Sequence, residues 1–347
     1  MANYEAVYPA GVPVPYKTIL EANGHLIENP PEEHDALIAT LSIHPFIMRP
    51  VTSPHQLRLY KGNWINQFFL RGALAMQQHF KSRPTDIFLA SYPKSGTTWL
   101  KAMIFATMTR TSYPLDQHPL CTHNPHQCIS SMEKEFSIGN SQIIEAIPSP
   151  RVMNTHLQYS VLPESITNPD CRIIYVWRDP KDVLVSEWYF VKKIYMDVDE
   201  KATFDQFYEL FCQGVGPFGS IWNHVLGYWK ESKLRPEKIL FLKYKHILQE
   251  PVKYAKKLAH FVGCPYSKAE ENQGVIEQIV ELCSFKKLKE LDVNKGGESV
   301  TNDVHISYAD FFRKGEVGDW KNHMTTEMAE RLDAITKEKF KGSGIEI

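Results

Sequence analysis

One stretch, residues 86–101 with the sequence DIFLASYPKSGTTWLK, constrains the fold of this chain most. It begins with the apolar run 87–90, which has the length of a β-strand. Pro93 then ends any inner strand, because proline has no N–H to donate to a neighbouring strand. Small polar residues follow, and the apolar segment 99–108 is typical of a helix. The stretch therefore predicts a strand, a tight loop and a helix N-terminus.

The loop carries residues suited to an anion: Lys94, Ser95, Gly96, Thr97 and Thr98. Backbone N–H groups and hydroxyls gather at the positive end of a helix dipole, which suits a phosphate or a sulfate. Gly96 lets the backbone approach the anion closely. An ordinary strand-to-helix turn capped by Thr97 or Thr98 is the alternative on these residues alone. The loop is not a Walker A loop, because its lysine precedes the glycine instead of following a second one.

Composition limits the classes of function. A net charge of -1 over 347 residues argues against a protein that grips the backbone of a nucleic acid. The six cysteines are scattered without a C-x-x-C pair, as expected for reduced thiols in the cytoplasm. We find neither a signal-peptide pattern nor a run of 18 apolar residues, so we expect a soluble intracellular protein with no membrane partner.

The pattern of elements predicts an α/β fold. Apolar strand-like runs alternate with helical patterns, which implies a central parallel sheet flanked by helices. No change in composition marks a linker, so we predict a partly ordered N-terminal arm over 1–50 and one domain over 51–347. The strands are expected at 87–90, 151–156, 172–177 and 238–244. The helices are expected at 35–42, 64–80, 99–108, 181–193, 204–212, 221–230, 251–263, 270–283 and 326–340.

Three polar residues lie at or just past the carboxyl ends of predicted strands: Lys94, His156 and Arg178. Ligands of parallel sheets bind beyond the carboxyl ends of the strands. We therefore expect these three side chains to converge on one site.

Two segments look irregular. Residues 112–150 are rich in proline and predict a mobile loop that forms a lid or a wall for an acceptor. Zinc binding is an alternative there, although the spacing fits no common structural zinc pattern; the residues concerned are His118, Cys121, His123, His126 and Cys128. The glycine pair within 291–303 predicts a second mobile loop.

The string YPKSGTTWLK at 92–101 resembles the 5′-phosphosulfate loop of cytosolic sulfotransferases, and the whole pattern looks most like their flowering-plant branch. These enzymes take a sulfuryl group from 3′-phosphoadenosine 5′-phosphosulfate (PAPS). Further matches run in the family's order from about residue 60 to 340. The resemblance implies a P-loop-like phosphosulfate-binding loop formed by Lys94, Ser95, Gly96, Thr97, Thr98 and Trp99.

The resemblance also implies the rest of the nucleotide site. Residues for the 3′-phosphate are Arg178, Ser186, Arg313, Lys314 and Gly315. Residues near the adenine are Tyr244, Phe285 and Leu288. Taken singly, each has a plainer reading as a surface, core or rim residue, and only their order around the loop supports this assignment.

The expected chemistry assigns two catalytic roles. A neutral His156 takes the proton of the acceptor hydroxyl, and Lys94 stabilises the charge that develops in the transition state. PAPS is the co-substrate, and no metal is required. A lysine that often stands two residues before this histidine in animal members is Asn154 here, which removes one expected sulfate contact.

The partners and the rival functions follow from the same comparison. The acceptor is expected to be a small phenolic, flavonoid, steroid or hormone-like molecule, bound by 64–80, 112–160 and 295–305, with Tyr159 and Trp188 nearby. Lys321, Thr325 and Glu330 resemble a dimerisation motif in which Thr326 replaces a valine, so we expect a monomer or a weak homodimer. A P-loop kinase of a small metabolite and a non-catalytic nucleotide-binding module are the alternatives.

Overall fold

The apolar runs pair into one four-stranded parallel sheet in the computed structural model, which describes residues 11–24, 32–45, 56–167, 171–195, 203–301 and 304–347. Two antiparallel strand pairs accompany this sheet. The strands are β1 Leu57–Tyr60, β2 Asn63–Asn66, β3 Ile87–Ser91, β4 Val152–Thr155, β5 Arg172–Trp177, β6 Ile239–Lys243, β7 Glu298–Thr301 and β8 Val304–Ser307.

Helices connect the strands throughout. The first nine in these ranges are α1 Tyr16–Ala22, α2 Asp35–Thr40, α3 Gln67–His79, α4 Thr97–Thr109, α5 Pro125–Cys128, α6 Met132–Ser137, α7 Ser141–Ala146, α8 Glu164–Thr167 and α9 Pro180–Tyr195. The remaining ones are α10 Phe204–Cys212, α11 Ile221–Leu234, α12 Tyr244–Gln249, α13 Pro251–Phe261, α14 Lys268–Asn272, α15 Val275–Leu282, α16 Phe285–Glu290, α17 Asp292–Gly296 and α18 Thr326–Lys339.

The order of the parallel sheet is β4-β3-β5-β6, which confirms the predicted fold class. Its register aligns the strand ends: Ala90 pairs with Thr155, Ser91 with Val176, and Trp177 with Lys243. The segments that follow the four strands therefore leave the sheet at one edge.

Successive residues of each strand face opposite sides of the sheet, as the pleat requires. Phe88 and Ala90 belong to one hydrophobic cluster, whereas Ile87 and Leu89 belong to another. The first cluster includes residues of α3, α9, α11 and α18, and the second includes residues of α4, α13 and α15. The sheet is thus buried on both faces, which explains why its strands are continuous apolar runs.

A buried ion pair links the beginnings of β3 and β4, at the end of the sheet opposite to the segments that follow the four strands. Arg151, just before β4, donates from Nε to Asp86 Oδ1 (2.9 Å) and from Nη2 to Asp86 Oδ2 (2.6 Å). Both side chains are fully buried, and the paired geometry satisfies two charges that would otherwise be costly inside the protein.

The prediction of one helix over 270–283 is wrong. The structure has two, α14 and α15, because Gly274 takes a left-handed conformation (φ 68°) directly before α15. Ser267 and Glu270 form a capping box that starts α14.

The prediction of mobile loops at 112–150 and 291–303 is also wrong. The first segment contains α5, α6 and α7, and its residues Leu120, Asn124 and Glu133 are buried. The second contains α17 and β7, while residues 302–303 lie outside the described residues. The two segments support each other, since Asn124 Nδ2 donates to Asn294 Oδ1 (2.7 Å), a contact between distant residues that the local sequence does not show.

The described parts of the N-terminal region contact the main domain. Tyr16 and Ile19 of α1 are buried in the first hydrophobic cluster, and the Tyr16 hydroxyl donates to Glu135 Oε2 (2.6 Å). Residues 1–10, 25–31 and 46–50 of the predicted arm lie outside the described residues, and the division at residue 50 stays a prediction. Among the helices that are described, none combines the length and apolarity needed to span a membrane.

Candidate active site

A cavity of about 1120 Å³ opens at the edge of the sheet where the parallel strands end. It brings together nearly all the residues that the sequence assigned to the site. Those that line it are Lys94, Gly96, Thr97, Thr98, Trp99, His156, Arg178, Ser186, Tyr244, Phe285, Leu288, Arg313, Lys314 and Gly315.

Ser95 is the exception. Its side chain is buried away from the cavity lining, and its hydroxyl has no hydrogen-bonding partner among the described residues. Its backbone N–H donates to the Tyr92 carbonyl (3.3 Å), so this amide is engaged within the loop. The binding role predicted for Ser95 therefore has no support from the cavity lining and stays a prediction.

The conformation of the loop depends on Gly96. This residue has φ 110° and directly precedes α4. A Cβ at Gly96 would lie 2.6 Å from Cδ2 of Tyr244, which is closer than real side chains approach. The ring of Tyr244 therefore packs against the bare backbone of the loop, and Trp99 meets the same ring edge-on with centroids 5.9 Å apart. The N–H groups of the first turn of α4 have no intrahelical acceptors and can bind an anion.

Ser91, the last residue of β3, links the loop to His156. Its hydroxyl lies 2.7 Å from Thr97 Oγ1, and its carbonyl oxygen lies 2.7 Å from His156 Nδ1. A carbonyl oxygen only accepts hydrogen bonds, so Nδ1 carries the proton in this contact. The other ring nitrogen, Nε2, is then unprotonated and able to accept a proton.

Burial keeps the imidazole of His156 neutral. The low polarity of its surroundings lowers the pKa to about 3, and the bond to Ser91 opposes this shift only in part. Two contacts hold its backbone: the N–H donates to Glu133 Oε1 (2.8 Å), and the carbonyl accepts from His224 Nε2 (2.9 Å). The ring of Phe218 lies edge-on at 5.4 Å between centroids.

Lys94 is held at the wall of the same cavity. Its Nζ lies 3.7 Å from the centre of the Phe190 ring, a cation–π distance. Burial lowers its pKa to about 7, and the carboxyl of Glu187 opposes that shift. Glu187 is itself buried, which raises its pKa to about 8, while Lys94 acts in the other direction. An anion bound here would favour the charged form of Lys94.

Arg178 spans the space between two segments of the site. Its Nη1 donates to the Lys94 carbonyl (3.3 Å), its Nη2 donates to the Glu316 carbonyl (2.6 Å), and its guanidinium lies 4.8 Å from the Tyr244 ring centre. Its Nε is buried without a partner among the residues described. Such a group costs free energy unless a ligand or water satisfies it, as expected in an anion site.

The C-terminal segment closes this side of the cavity. Arg313 donates to Asp319 Oδ2 (2.5 Å), and its Nε is also buried without a partner among the described residues. Gly315 (φ 72°) leaves room for the Phe285 ring, which a Cβ would meet at 2.5 Å. Lys314 is about half exposed, with Nζ 4.0 Å from Asp319 Oδ1.

Sequence reasoning missed four polar residues of the site: Lys101, His126, Glu133 and Glu187. Lys101, His126 and Glu187 line the cavity, and Glu133 holds the backbone of His156. The signal that could have found Lys101 and Glu187 is a charged residue with mainly apolar neighbours on both sides in a helix. His126 appeared only in the zinc alternative, whereas its two ring nitrogens contact Thr98 and Lys101.

The apolar wall of the cavity differs from the expectation. Tyr159 and Trp188 do not line it: Tyr159 packs against Tyr228 and Trp188 against Phe207. Besides Trp99, Tyr244 and Phe285, the aromatic residues that line it are Tyr16, Phe68, Phe69, Phe190, Phe207, Phe211, Phe218, Tyr308, Phe311 and Phe312. Members of the expected segments 64–80, 112–160 and 295–305 are present in the wall, with 302–303 outside the described residues.

Comparison with protein families agrees with this geometry. A model described as "Sulfotransferase domain" matches residues 84–344. Flavonol 3-sulfotransferase of Flaveria bidentis is 44% identical over 287 residues, which cover 82% of this chain and 91% of that protein. Cytosolic sulfotransferase 17 of Arabidopsis thaliana is 40% identical over 335 residues, which cover 94% and 95%.

Solved structures show the same architecture. A sulphotransferase of Arabidopsis thaliana superposes with a TM-score of 0.70 at 32% identity, covering 90% of this chain and 94% of that one. Mouse sulfotransferase SULT7A1 complexed with PAP gives 0.61 at 28% identity, covering 82% and 95%.

Proposed function

The chain belongs to the sulfotransferase family, and we propose that it uses His156 and Lys94 to move a sulfuryl group from PAPS to a hydroxyl of a small phenolic acceptor. PAPS-dependent transfer to a small hydroxylated acceptor is the reaction of this enzyme. The single observation that carries the residue assignment is the 2.7 Å contact from His156 Nδ1 to the Ser91 carbonyl, because it leaves Nε2 as a free base.

His156 acts as the general base. The acceptor hydroxyl is a weak nucleophile until its proton leaves, and a neutral imidazole in the cavity can take that proton. The pKa of about 3 belongs to the buried ring without ligands. Negative charge from a bound sulfuryl donor favours the imidazolium and raises this pKa toward the range useful for catalysis.

Lys94 stabilises the transition state. Its amino group lies in the cavity beside Phe190. We assign it to the oxygen that leaves the sulfur, on which negative charge develops. Because the lysine is already desolvated against Phe190, its charge acts more strongly than it would in water.

The remaining residues fit the nucleotide part of PAPS. The buried Nε atoms of Arg178 and Arg313 have no partner among the described residues, and an anionic nucleotide would satisfy them. Gly96 and Gly315 let the rings of Tyr244 and Phe285 pack against the backbone beside these arginines. We assign the 5′-phosphate to the first turn of α4 with Thr97 and Thr98. We assign the 3′-phosphate to Arg178, Ser186, Arg313, Lys314 and Gly315, and the adenine to Trp99, Tyr244, Phe285 and Leu288.

The acceptor we favour is a flavonol or a related flat phenol. Flavonol sulfotransferases are among the similar proteins, at 44% and 43% identity. The wall near His156 is built from phenylalanine rings, which suit a flat aromatic molecule. We further propose that the enzyme acts in the cytoplasm, needs no metal, and is a monomer or a weak homodimer.

A labelled-sulfate transfer assay tests the proposal. The protein is incubated with PAPS and a panel of flavonols, simple phenols, steroids and hydroxylated hormones, with and without a chelator. We expect sulfated flavonol, undiminished by the chelator. Transfer to steroids alone would overturn the acceptor class, and transfer of phosphate from ATP that the chelator abolishes would support a kinase instead.

A further inference from the structure

A hydrogen-bonded chain that no part of the proposed function uses runs along the cavity wall. Lys101 Nζ lies 3.0 Å from His126 Nδ1, and His126 Nε2 lies 2.9 Å from Thr98 Oγ1. Lys101 Nζ also donates to the Ile129 carbonyl (2.8 Å). Thr98, Lys101 and His126 all line the cavity, and Lys101 is only 1% exposed. A lysine buried this deeply needs partners, and the chain supplies them.

The chemistry of the three groups sets the direction of each proton. Burial lowers the pKa of Lys101 to about 7, so the amine is charged below that pH. The charged form only donates, and Lys101 then donates to His126 Nδ1. The neutral imidazole then carries its proton on Nε2, which donates to the Thr98 hydroxyl oxygen. The hydroxyl proton of Thr98 must point elsewhere, and no second partner for it is found among the residues that the structure describes.

We propose that Lys101 and His126 are positioning residues that turn the hydroxyl proton of Thr98 into the cavity, where it is donated to a phosphate oxygen of the sulfuryl donor. This inference rests on the proposed function, because it assumes that PAPS and its product, 3′-phosphoadenosine 5′-phosphate (PAP), bind at the helix N-terminus. We call the chain Lys101–His126–Thr98 the relay. It directs the Thr98 hydroxyl proton into the cavity before the nucleotide binds, which lowers the reorganisation needed on binding.

Packing holds the relay in place. The His126 ring stacks on Phe311 with centroids 4.0 Å apart and planes at 21°. Asn124 caps α5 and accepts from the His126 N–H (2.9 Å), which fixes the backbone that carries the ring. Burial and the neighbouring Lys101 both lower the pKa of His126, which favours the neutral form that the relay requires.

A second threonine–histidine pair on the same helix provides a contrast. Thr109 Oγ1 lies 2.9 Å from His118 Nε2, the same distance as in the relay. The Thr109 hydroxyl, however, donates to the Phe105 carbonyl (2.6 Å), so its proton is already used. Neither Thr109 nor His118 lines the cavity. This pair is therefore a matched structural control.

A double-mutant cycle on PAP affinity tests the relay. Thr98→Val and His126→Leu are made singly and together, and PAP binding is measured by calorimetry alongside thermal unfolding. We expect each single variant to weaken PAP binding by about 10-fold or more, as for a lost hydrogen bond to a charged group. The double variant should be no weaker than the weaker single variant, because both remove the same contact.

Two further variants separate positioning from structure. His126→Gln keeps an amide N–H that can reach Thr98 and should restore most of the affinity, whereas Lys101→Met should reduce it. These two variants still test the relay if His126→Leu does not fold. In the control cycle, Thr109→Val and His118→Leu should lower the unfolding temperature without changing PAP affinity.

Three results would overturn the relay: additive losses in the cycle, unchanged PAP affinity in folded His126 variants, or an equal loss of affinity in the control pair. Failure of the wild-type enzyme to bind PAP is a different result, because it would refute the assigned nucleotide site and the relay with it.

Discussion

His156 Nδ1 lies 2.7 Å from the carbonyl oxygen of Ser91, although the two residues are 65 positions apart in the chain. Ser91 ends β3 and His156 follows β4, and these strands are neighbours in the sheet. The contact orients the imidazole and sets its tautomer, so that the unprotonated nitrogen is available to an acceptor hydroxyl.

Replacing His156 with alanine should abolish turnover and spare nucleotide binding. The substitution removes the proton acceptor, whose contribution is about 10²–10⁴-fold in rate, but leaves Arg178 and the loop in place. Rate measurements with PAPS and a flavonol, together with calorimetric titration of PAP, check this. A variant that retains normal turnover would refute the assignment of the base.

Arg178→Ala should weaken PAP binding by about 1.5–3 kcal/mol, as for hydrogen bonds between charged groups. Lys314→Ala should fall at the lower end of that range, because its side chain is about half exposed and its charge is screened. Arg331→Ala is a suitable control, since Arg331 pairs with Glu209 on the surface and does not line the cavity. Equal PAP affinities in all three variants would contradict the phosphate assignment.

PAP binding should be accompanied by proton uptake at pH 8. At pH 6, Lys94 and Lys101 should take up no further protons. The pKa values of Lys94 and Lys101 are lowered to about 7 by burial, so both amines are mostly neutral at pH 8 in the free enzyme. A bound polyanion favours their charged forms and raises both pKa values. At pH 6 both amines are already protonated.

Calorimetry in two buffers of different ionisation enthalpy measures this uptake, which we expect to be roughly one to two protons per PAP bound at pH 8. Lys94→Met should reduce the number by about one. No proton uptake at pH 8 would contradict the prediction and show that the two amines are already charged in the free enzyme or stay neutral in the complex.

Gly96→Ala should lower both stability and PAP affinity. The left-handed conformation costs an alanine roughly 1–2 kcal/mol, and the contact with Tyr244 adds an overpacking cost of about 1–3 kcal/mol. Gly62→Ala is the matched control, because Gly62 also has a positive φ (74°) but open space around it. If chemical denaturation shows equal losses for the two variants, then the Tyr244 ring does not constrain the loop.

The fold class followed from local patterns alone. Continuous apolar runs such as 173–177 are typical of strands buried on both faces, and their alternation with helices implies a parallel sheet. The convergence of Lys94, His156 and Arg178 also followed, because parallel strands end at one edge.

The errors arose where distant residues decide the structure. The segment 112–150 looked like a loop because its helices are short, yet contacts such as that between Asn124 and Asn294 order it. The closeness of Tyr159 to His156 in the sequence predicts a place near the acceptor, but the Tyr159 ring packs against Tyr228.

The sequence by itself determined which chemical groups stand after each strand, and so the family and its reaction, because a motif such as YPKSGTTWLK is read from consecutive residues. Only the tertiary structure decided which nitrogen of His156 carries the proton, that Glu187 lies beside Lys94, and that Lys101 reaches Thr98 through His126. Hydrogen-bond direction and desolvation depend on neighbours brought together by folding, and no local pattern encodes them.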